Sequence, residues 1–575
     1  MRLLWIFLGL AIGTQGDEKT HRYDQGEAVV VWGGKVGPYH NPHETYTYDS
    51  MPLCDLEGVE TEQKSATFGE ALAGHNLLKL PKFQIKFGEG SLSTEVCTKT
   101  LSNEDAESLS SMIDEHWYTG LHVDELPLYL LVGFAEGAQA RMVFTHREFV
   151  IAKNEDRIIS VDVDPSSPVQ VSPGASLRFT YGVRWVESSV AFEDRFQKYL
   201  EEDFFEDRVH WFSIVNSLVV CGALCFATAL VLSRTLRRDF QRQDVSEAEE
   251  LECMDRADES GWKQVHGDVF RRPDHLMSFA TLYSAGAEVI SVLVVVLILA
   301  PIHAFHTKRG VAIDAVIGSY IVARGVGGFA GGRLFKKYGG SAWKRSMLRN
   351  QLFLPTVAFF AWFAVHWVAR MKSSSSTGPS SSILFIVLFL LFCAPVHVVG
   401  TLLGRRSTAK GTFPCRVHTL RRPIPPKHFL WEPAFIAVSG AIPFACVYIE
   451  MYFIFSSMWG YKFYYVYGFA CAILCILTLV IMCVAVTGAY ILLNAEDYRW
   501  VWLSFLSGGS TAVYIWLYSL YYLVASTKMT GVVQLVYYNV ATAFGCLCLG
   551  LACGTLSFAA TSLFVHTIYR NIKSD

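Results

Sequence analysis

Ala437 to Gly468 reads AVSGAIPFACVYIEMYFIFSSMWGYKFYYVYG, and between Ala437 and Tyr461 its one charged side chain is Glu450. About 20 mostly apolar residues suffice for a helix to cross the ~30 Å hydrocarbon core of a bilayer. Eight further segments of the same kind surround this one. The nine candidate spans cover about 211–233, 279–302, 311–333, 347–370, 383–404, 434–457, 464–492, 500–525 and 532–566. The last is longer than a span needs, which tilt or a short lead-in accounts for.

The composition agrees. The chain has 575 residues, of which 52% are hydrophobic and 18% charged. Its mean hydropathy is +0.30. Soluble globular chains are nearer roughly 45–50% apolar with about a quarter charged. A net charge of −3 offers no electrostatic case for nucleic acid. The first residues, MRLLWIFLGLAIGTQG, join one Arg to a short apolar run and then small residues. They read as a signal peptide over 1–16, which would place the next segment in a lumen or outside the cell.

Residues 17–210 hold no apolar run long enough to span a bilayer. Lys and Arg concentrate in alternate loops between spans. Arg234, Arg237, Arg238 and Arg242 follow the first span, Lys336, Lys337, Lys344 and Arg345 follow the third, and Arg405, Arg406 and Arg416 follow the fifth. The positive-inside rule then puts those loops and the tail, residues 567–575, in the cytosol.

The luminal part reads as β structure. AVVVWGGKV, FQIKF, LYLLVGF, EFVIAKN, RIISVDVDP and SLRFTYGVRWV are short and β-rich, bounded by Gly, Pro, Asn and Asp. They predict a sandwich-like domain with a helix near 103–115. It lacks an N-x-S/T acceptor. Residues 190–208 read as an amphipathic helical connector on the membrane surface. Of 14 cysteines only Cys54 and Cys97 fall in this half, which invites one disulfide, the alternative being two buried thiols.

Near its start stands KVGPYHNPHETYTYD, Lys35 to Asp49. His40, His43 and Glu44 suggest a metal site at first sight. Pro42 denies the histidines a regular helical face, and no third ligand is evident nearby. Gly37-Pro38 and Asn41-Pro42 read as consecutive turns, with the tyrosines docking the loop on the sandwich. The histidines would sense a mildly acidic lumen.

Several strings together resemble one family. They are WVESSVAFEDRFQKYLEEDFFEDRVHWFSIVNS before and into span one, GWKQVHGDVFRRP before span two, the quoted segment of span six, NAEDYRWVWLSFLSGGSTAVYIWLYSLYY at span eight, and VGPYHNPHETY. In order and content they are similar to the nonaspanins, the transmembrane 9 superfamily or endomembrane protein 70 family. The resemblance covers nearly the whole mature chain. It implies an α-helical polytopic membrane protein with nine transmembrane helices, preceded by a β-rich luminal domain. It also implies residence in Golgi and endosomal membranes. The implied role is non-enzymatic: sorting and surface delivery of client membrane proteins with glycine-rich spans, with links to adhesion and phagocytosis. Members end in Lys-x-Asp/Glu, a signal read by the COPI coat, and this chain ends in Lys573-Ser574-Asp575. A cation, an acid and a free carboxylate suit a complementary charged pocket.

Charges inside a bilayer cost several kcal/mol unless paired, so each is a functional candidate. Here they are Glu288, Asp314, Arg324 and Glu450, with His366 and His397 nearer span ends. Relatives commonly carry Gln near Glu288, which weakens a proton-relay reading. Span three also carries Ala323, Gly327 and Gly331 four apart, and Gly328 with Gly332. Such spacing serves close helix packing or the docking of a client's span. The alternative function is an ion or small-molecule transporter built on the acidic residues, although no inverted repeat is visible. GVGGFAGG lacks the Gly-Lys-Ser/Thr ending of a phosphate loop. RRPIPPK, residues 421–427, reads as a stiff basic turn facing anionic lipid. No nucleophile–base pair or metal spacing stands out, so no catalytic residue, metal or cofactor is expected.

Overall fold

Alternating apolar residues fold the amino-terminal third into two facing sheets. The computed structural model describes residues 21–53, 63–64, 77–137, 140–196, 215–230, 233–234, 237, 261–303, 311–372, 386–387, 389–407, 413–426, 428, 431–459 and 466–570. The expected signal peptide, Cys54, most of the 190–208 connector, and Lys573 with Asp575 lie outside them.

The strands are β1 (Ala28–Val29), β2 (Val31–Pro38), β3 (Gln63–Lys64), β4 (Leu77–Lys79), β5 (Ile85–Lys86), β6 (Ser91–Thr100), β7 (Trp117–Val123), β8 (Leu126–Leu131), β9 (Gly133–Glu136), β10 (Ala140–Asn154), β11 (Arg157–Gln170) and β12 (Ser176–Glu187). One sheet runs β3-β4-β2-β7-β8. The other runs β11-β10-β12-β6, with β9 added to β10. Pairing is antiparallel except between β10 and β12, which are parallel. Val31, Leu121, Val123 and Leu128 of the first sheet share a core with Phe149, Ile151, Ile158 and Tyr181 of the second. Two layers around one apolar core make a sandwich-like domain.

The expected helix near 103–115 is α1, Asn103–Asp114. Ser102 and Asp105 close a reciprocal capping box at its start, which satisfies two otherwise orphaned backbone donors. A buried ion pair fixes the exit of the domain. Arg195 Nη1 lies 2.6 Å from Asp124 Oδ2, and both side chains are about 1% exposed. Tyr23 donates to the other oxygen at 3.1 Å, and the Phe192 ring stacks under the guanidinium at 4.2 Å.

The membrane part is helical because its segments are apolar all round. The first described helix is α2, Val215–Leu230. It is followed by α3 (Leu276–His303), α4 (Val311–Lys337), α5 (Trp343–Met371), α6 (Ala394–Arg406, entered through a π turn at Phe389–Cys393), α7 (Trp431–Trp459), α8 (Val466–Asn494), α9 (Trp500–Gly509), α10 (Thr511–Ser526) and α11 (Val532–Arg570). Seven of these segments are long and apolar enough to cross a membrane. Of the nine expected spans, seven match those helices. The first is described over 16 residues only. The eighth is broken in two at Ser510, after the Gly508-Gly509 pair. The Ser510 and Tyr514 hydroxyls donate to the Ile436 and Ala437 carbonyls of α7, at 2.9 and 3.0 Å, which holds the break against its neighbour.

Removing one partner of a buried ion pair leaves an uncompensated charge, at a cost of about 3–5 kcal/mol. Asp124→Ala should therefore lower the unfolding free energy of the β domain by about that amount. Chemical denaturation of the purified chain measures it, and an unchanged midpoint would count against the pair's role.

Candidate functional site

Glu288 on α3 and Arg324 on α4 meet in the middle of the bundle, both fully buried. Arg324 Nη1 reaches the two Glu288 oxygens at 2.9 and 2.8 Å. Its Nη2 donates to the Gln351 carbonyl of α5 at 2.6 Å. His397 of α6 places Nδ1 3.4 Å from Glu288 Oε1 and 3.2 Å from the Arg324 carbonyl. One polar knot thus ties four helices. Around it Thr281 donates to Asn350 at 2.9 Å, and Ser284 to the Gly327 carbonyl at 2.8 Å.

Glycines allow the approach. A Cβ on Gly327 would fall 2.2 Å from Glu288 Cγ, and one on Gly331 2.6 Å from Asn350 Nδ2. On the adjacent stripe, Gly328 and Gly332 would strike the His397 and Thr401 carbonyls at 2.3 and 2.7 Å. Both small-residue stripes are therefore spent on internal packing, one against α3 and α5, the other against α6. The carboxylate of Glu288 is committed to Arg324, and the pair is neutral overall. Such an arrangement locks helices; it does not present a free acid to a passing ion.

The other candidates lie apart. Asp314 sits in the first turn of α4, ten residues or about 15 Å along the helix from Arg324. Glu450 accepts a hydrogen bond from Ser217 of α2 at 2.5 Å, so it ties the first helix to α7. His366 bonds the Trp362 carbonyl of its own helix. Cys97 is disulfide-bonded, and the described cysteines of the helical part are free. Among the described residues no group of three or more His, Cys, Asp or Glu is placed to hold a metal.

The opening loop makes a second joint. Its two expected turns are present: the Asn41 amide donates to the Pro38 carbonyl, and the Glu44 amide to that of Asn41, each at 3.0 Å. Tyr46 stacks on Trp117 at 5.1 Å, fixing the loop to the sheet. The tip between the turns leaves the sandwich and enters the helical bundle. The His43 amide donates to Gln534 Oε1 at 2.8 Å, and the Thr530 amide to Asn41 Oδ1 at 3.2 Å. The His43 ring stacks on Tyr537 at 4.1 Å and meets Trp459 edge-on at 5.5 Å. Gly531 is required there, since a Cβ would lie 1.6 Å from Glu44 Oε2. The loop is a clamp between domain and bundle, more than the scaffold its sequence suggested.

The docked loop keeps His43 neutral. Burial, and then Lys35, hold its pKa down at about 4. His40 is lowered too, by burial, His116 and Lys528. At mildly acidic pH His43 therefore stays neutral.

Two predictions follow from these joints. Glu288→Ala strands a buried guanidinium and should cost about 3–5 kcal/mol, whereas Glu288→Leu with Arg324→Leu should recover most of it. Thermal melting in detergent separates these outcomes, and equal melting of single and double variants would refute the pairing. For His43 the folded pKa is depressed, so the clamp is strongest above pH 6.5 and weakens as pH falls toward 4. The loss is about 1 kcal/mol by pH 6 and about 2.5 kcal/mol by pH 4.5. His43→Gln should flatten that part of the pH dependence of melting.

The comparisons with known proteins agree with this plan. A family profile described as Endomembrane protein 70 matches residues 45–532. Transmembrane 9 superfamily member 2 of Arabidopsis thaliana is 33% identical over 98% of this chain and 96% of its own length. Transmembrane 9 superfamily member 3 of the same plant is 33% identical over 100% and 99%. Transmembrane 9 superfamily member 1 of Mus musculus is 31% identical over 100% and 97%. No solved structure matches. The chain belongs to the endomembrane protein 70 family, the transmembrane 9 superfamily.

Proposed function

We propose that the protein is a non-enzymatic sorting factor of Golgi and endosomal membranes that helps localise or deliver other membrane proteins. In this reading the β domain is luminal, nine spans follow, and the tail is cytosolic. The COPI coat would recycle the protein through Lys573 and Asp575. Full-length kinship with the transmembrane 9 superfamily, joined to that tail sequence, is the observation that carries the reading.

The helical part offers a place for a client's span. An apolar groove of about 450 Å³ runs between α4 and α6, lined by Gly325, Phe329, Val396, Val399, Gly400 and Leu403. A glycine-rich client helix could lie there with its backbone close to Gly325, the approach small residues permit. Transport is the weaker reading, because Glu288 is held by Arg324 and Glu450 by Ser217. Cys54 is proposed as the partner of Cys97, as the second cysteine of the luminal half.

The test is localisation. Lys573→Ala with Asp575→Ala should move the tagged protein from Golgi membranes to the cell surface or lysosome and abolish coat capture by the tail. Unchanged Golgi residence of the double variant would sink the tail proposal.

A further inference from the structure

The end of the bundle farthest from the β domain carries a charge pattern that the sorting reading does not use. Between Asp314 and Glu432 the chain contains no Asp or Glu. In that stretch α4 ends, α5 begins and α6 ends, and all three termini are basic. Lys336 of α4 donates to the Arg405 carbonyl of α6 at 2.5 Å. The Arg405 guanidinium lies over the Trp343 ring, at the start of α5, at 4.5 Å. Lys337 bonds His566 near the end of α11 at 2.9 Å, which fixes this site at the end opposite the clamp.

Arg333, Lys344, Arg345, Arg349 and Arg406 are exposed around this junction. None of the five has an ion-pair partner among the described residues. Cations suit the ends of α4 and α6, where the helix dipole is negative. At the start of α5 they do not. Lys344 and Arg345 sit in a first turn with no acid and no side-chain cap, facing a positive dipole end. Among the described residues no Asp or Glu pairs with either cation to relieve this. Trp343 lies at the same level, as amphipathic rings do at a membrane–water interface.

We propose that this three-helix junction is a binding site for a polyanionic phospholipid headgroup, one carrying several phosphates, in the facing leaflet. The bilayer is the source because the cations ring helix ends at the interface, within reach of headgroups and not of the apolar core. Basic clusters at this position take their energy from anionic lipid at about 1 kcal/mol per Lys or Arg. The choice of the cytosolic leaflet rests on the orientation proposed above; the site itself does not.

The experiment uses the full chain in phosphatidylcholine nanodiscs, with and without phosphatidylinositol bisphosphate, followed by thermal melting and native mass spectrometry. The wild type should melt several degrees higher with the bisphosphate lipid and retain it in the spectrum. Lys344→Gln, Arg345→Gln and Arg349→Gln combined should weaken retention roughly 100-fold, the loss of three surface cations. Melting in phosphatidylcholine alone should be unchanged, which shows that the triple variant folds. Arg178→Gln with Arg184→Gln, on the β domain, should change nothing. Three results would each overturn the proposal: undiminished retention by the triple variant, the same effect from phosphatidylserine at matched charge, or full stabilisation by soluble inositol polyphosphate. Each would leave the sorting reading intact, since that is decided by the tail variant's location.

Discussion

The contact between Glu288 and Arg324 sets the terms for the first half of the bundle. Neither charge is tolerable alone in a bilayer, and the pair is acceptable only if their helices approach closely and hold register. That requirement explains the glycines. Gly327 and Gly331 clear the space on which Glu288 and Asn350 close, while Gly328 and Gly332 admit the α6 backbone. Small residues and a polar knot are the two devices that hold helices together where apolar burial gives no net drive. Here they occupy the same turns of α4.

The second half of the bundle is organised differently. Cys446, Val447, Met451, Ile473, Ile476 and Tyr538 make an apolar cluster that also receives Cys221 of α2. Ser217 and Glu450 supply its polar tie. This half also carries the clamp, through Trp459, Thr530, Gln534 and Tyr537. The polar knot therefore sits in one half and the β-domain joint in the other.

Much of this was legible in the sequence, and the limits are physical. Apolar run length located the seven membrane-length helices among the described residues, because the bilayer dictates length, but not the break at Ser510. The helix at 103–115, the two turns at Pro38 and Asn41, and the β-rich character of the first domain follow from local rules. Glu288 and Arg324 were visible as unusual charges. That they pair was not, since two residues 36 positions apart on separate helices meet only in one rotational register. Asp314 looked equivalent and is not part of the knot, being some three turns away. His397 appeared as a span-end residue, yet it is fully buried against Glu288 and the Arg324 carbonyl. The partners of the opening loop were invisible for a simpler reason. His43 and Gln534 are 491 positions apart, and no local pattern links them.

The long helix α11 turns these separate joints into one structure. Its 39 residues extend about 58 Å, against a hydrocarbon core of ~30 Å. Near its start Gln534 and Tyr537 hold the clamp. Near its end the Tyr569 hydroxyl donates to the Trp262 carbonyl at 2.5 Å, and the Cys415 thiol contacts the Tyr569 carbonyl at 3.7 Å. Trp262 belongs to the GWKQVHGDVFRRP segment, whose Val269 carbonyl accepts from Trp500 of α9 at 2.8 Å. A continuous helix transmits tilt and rotation better than a hinged one, and its neighbour α9–α10 is the element that is broken. The same helix packs closely on α3 at Gly286, where a Cβ would lie 2.0 Å from Thr555 Oγ1, so α11 joins the clamp, the Glu288 helix and the opposite end of the bundle.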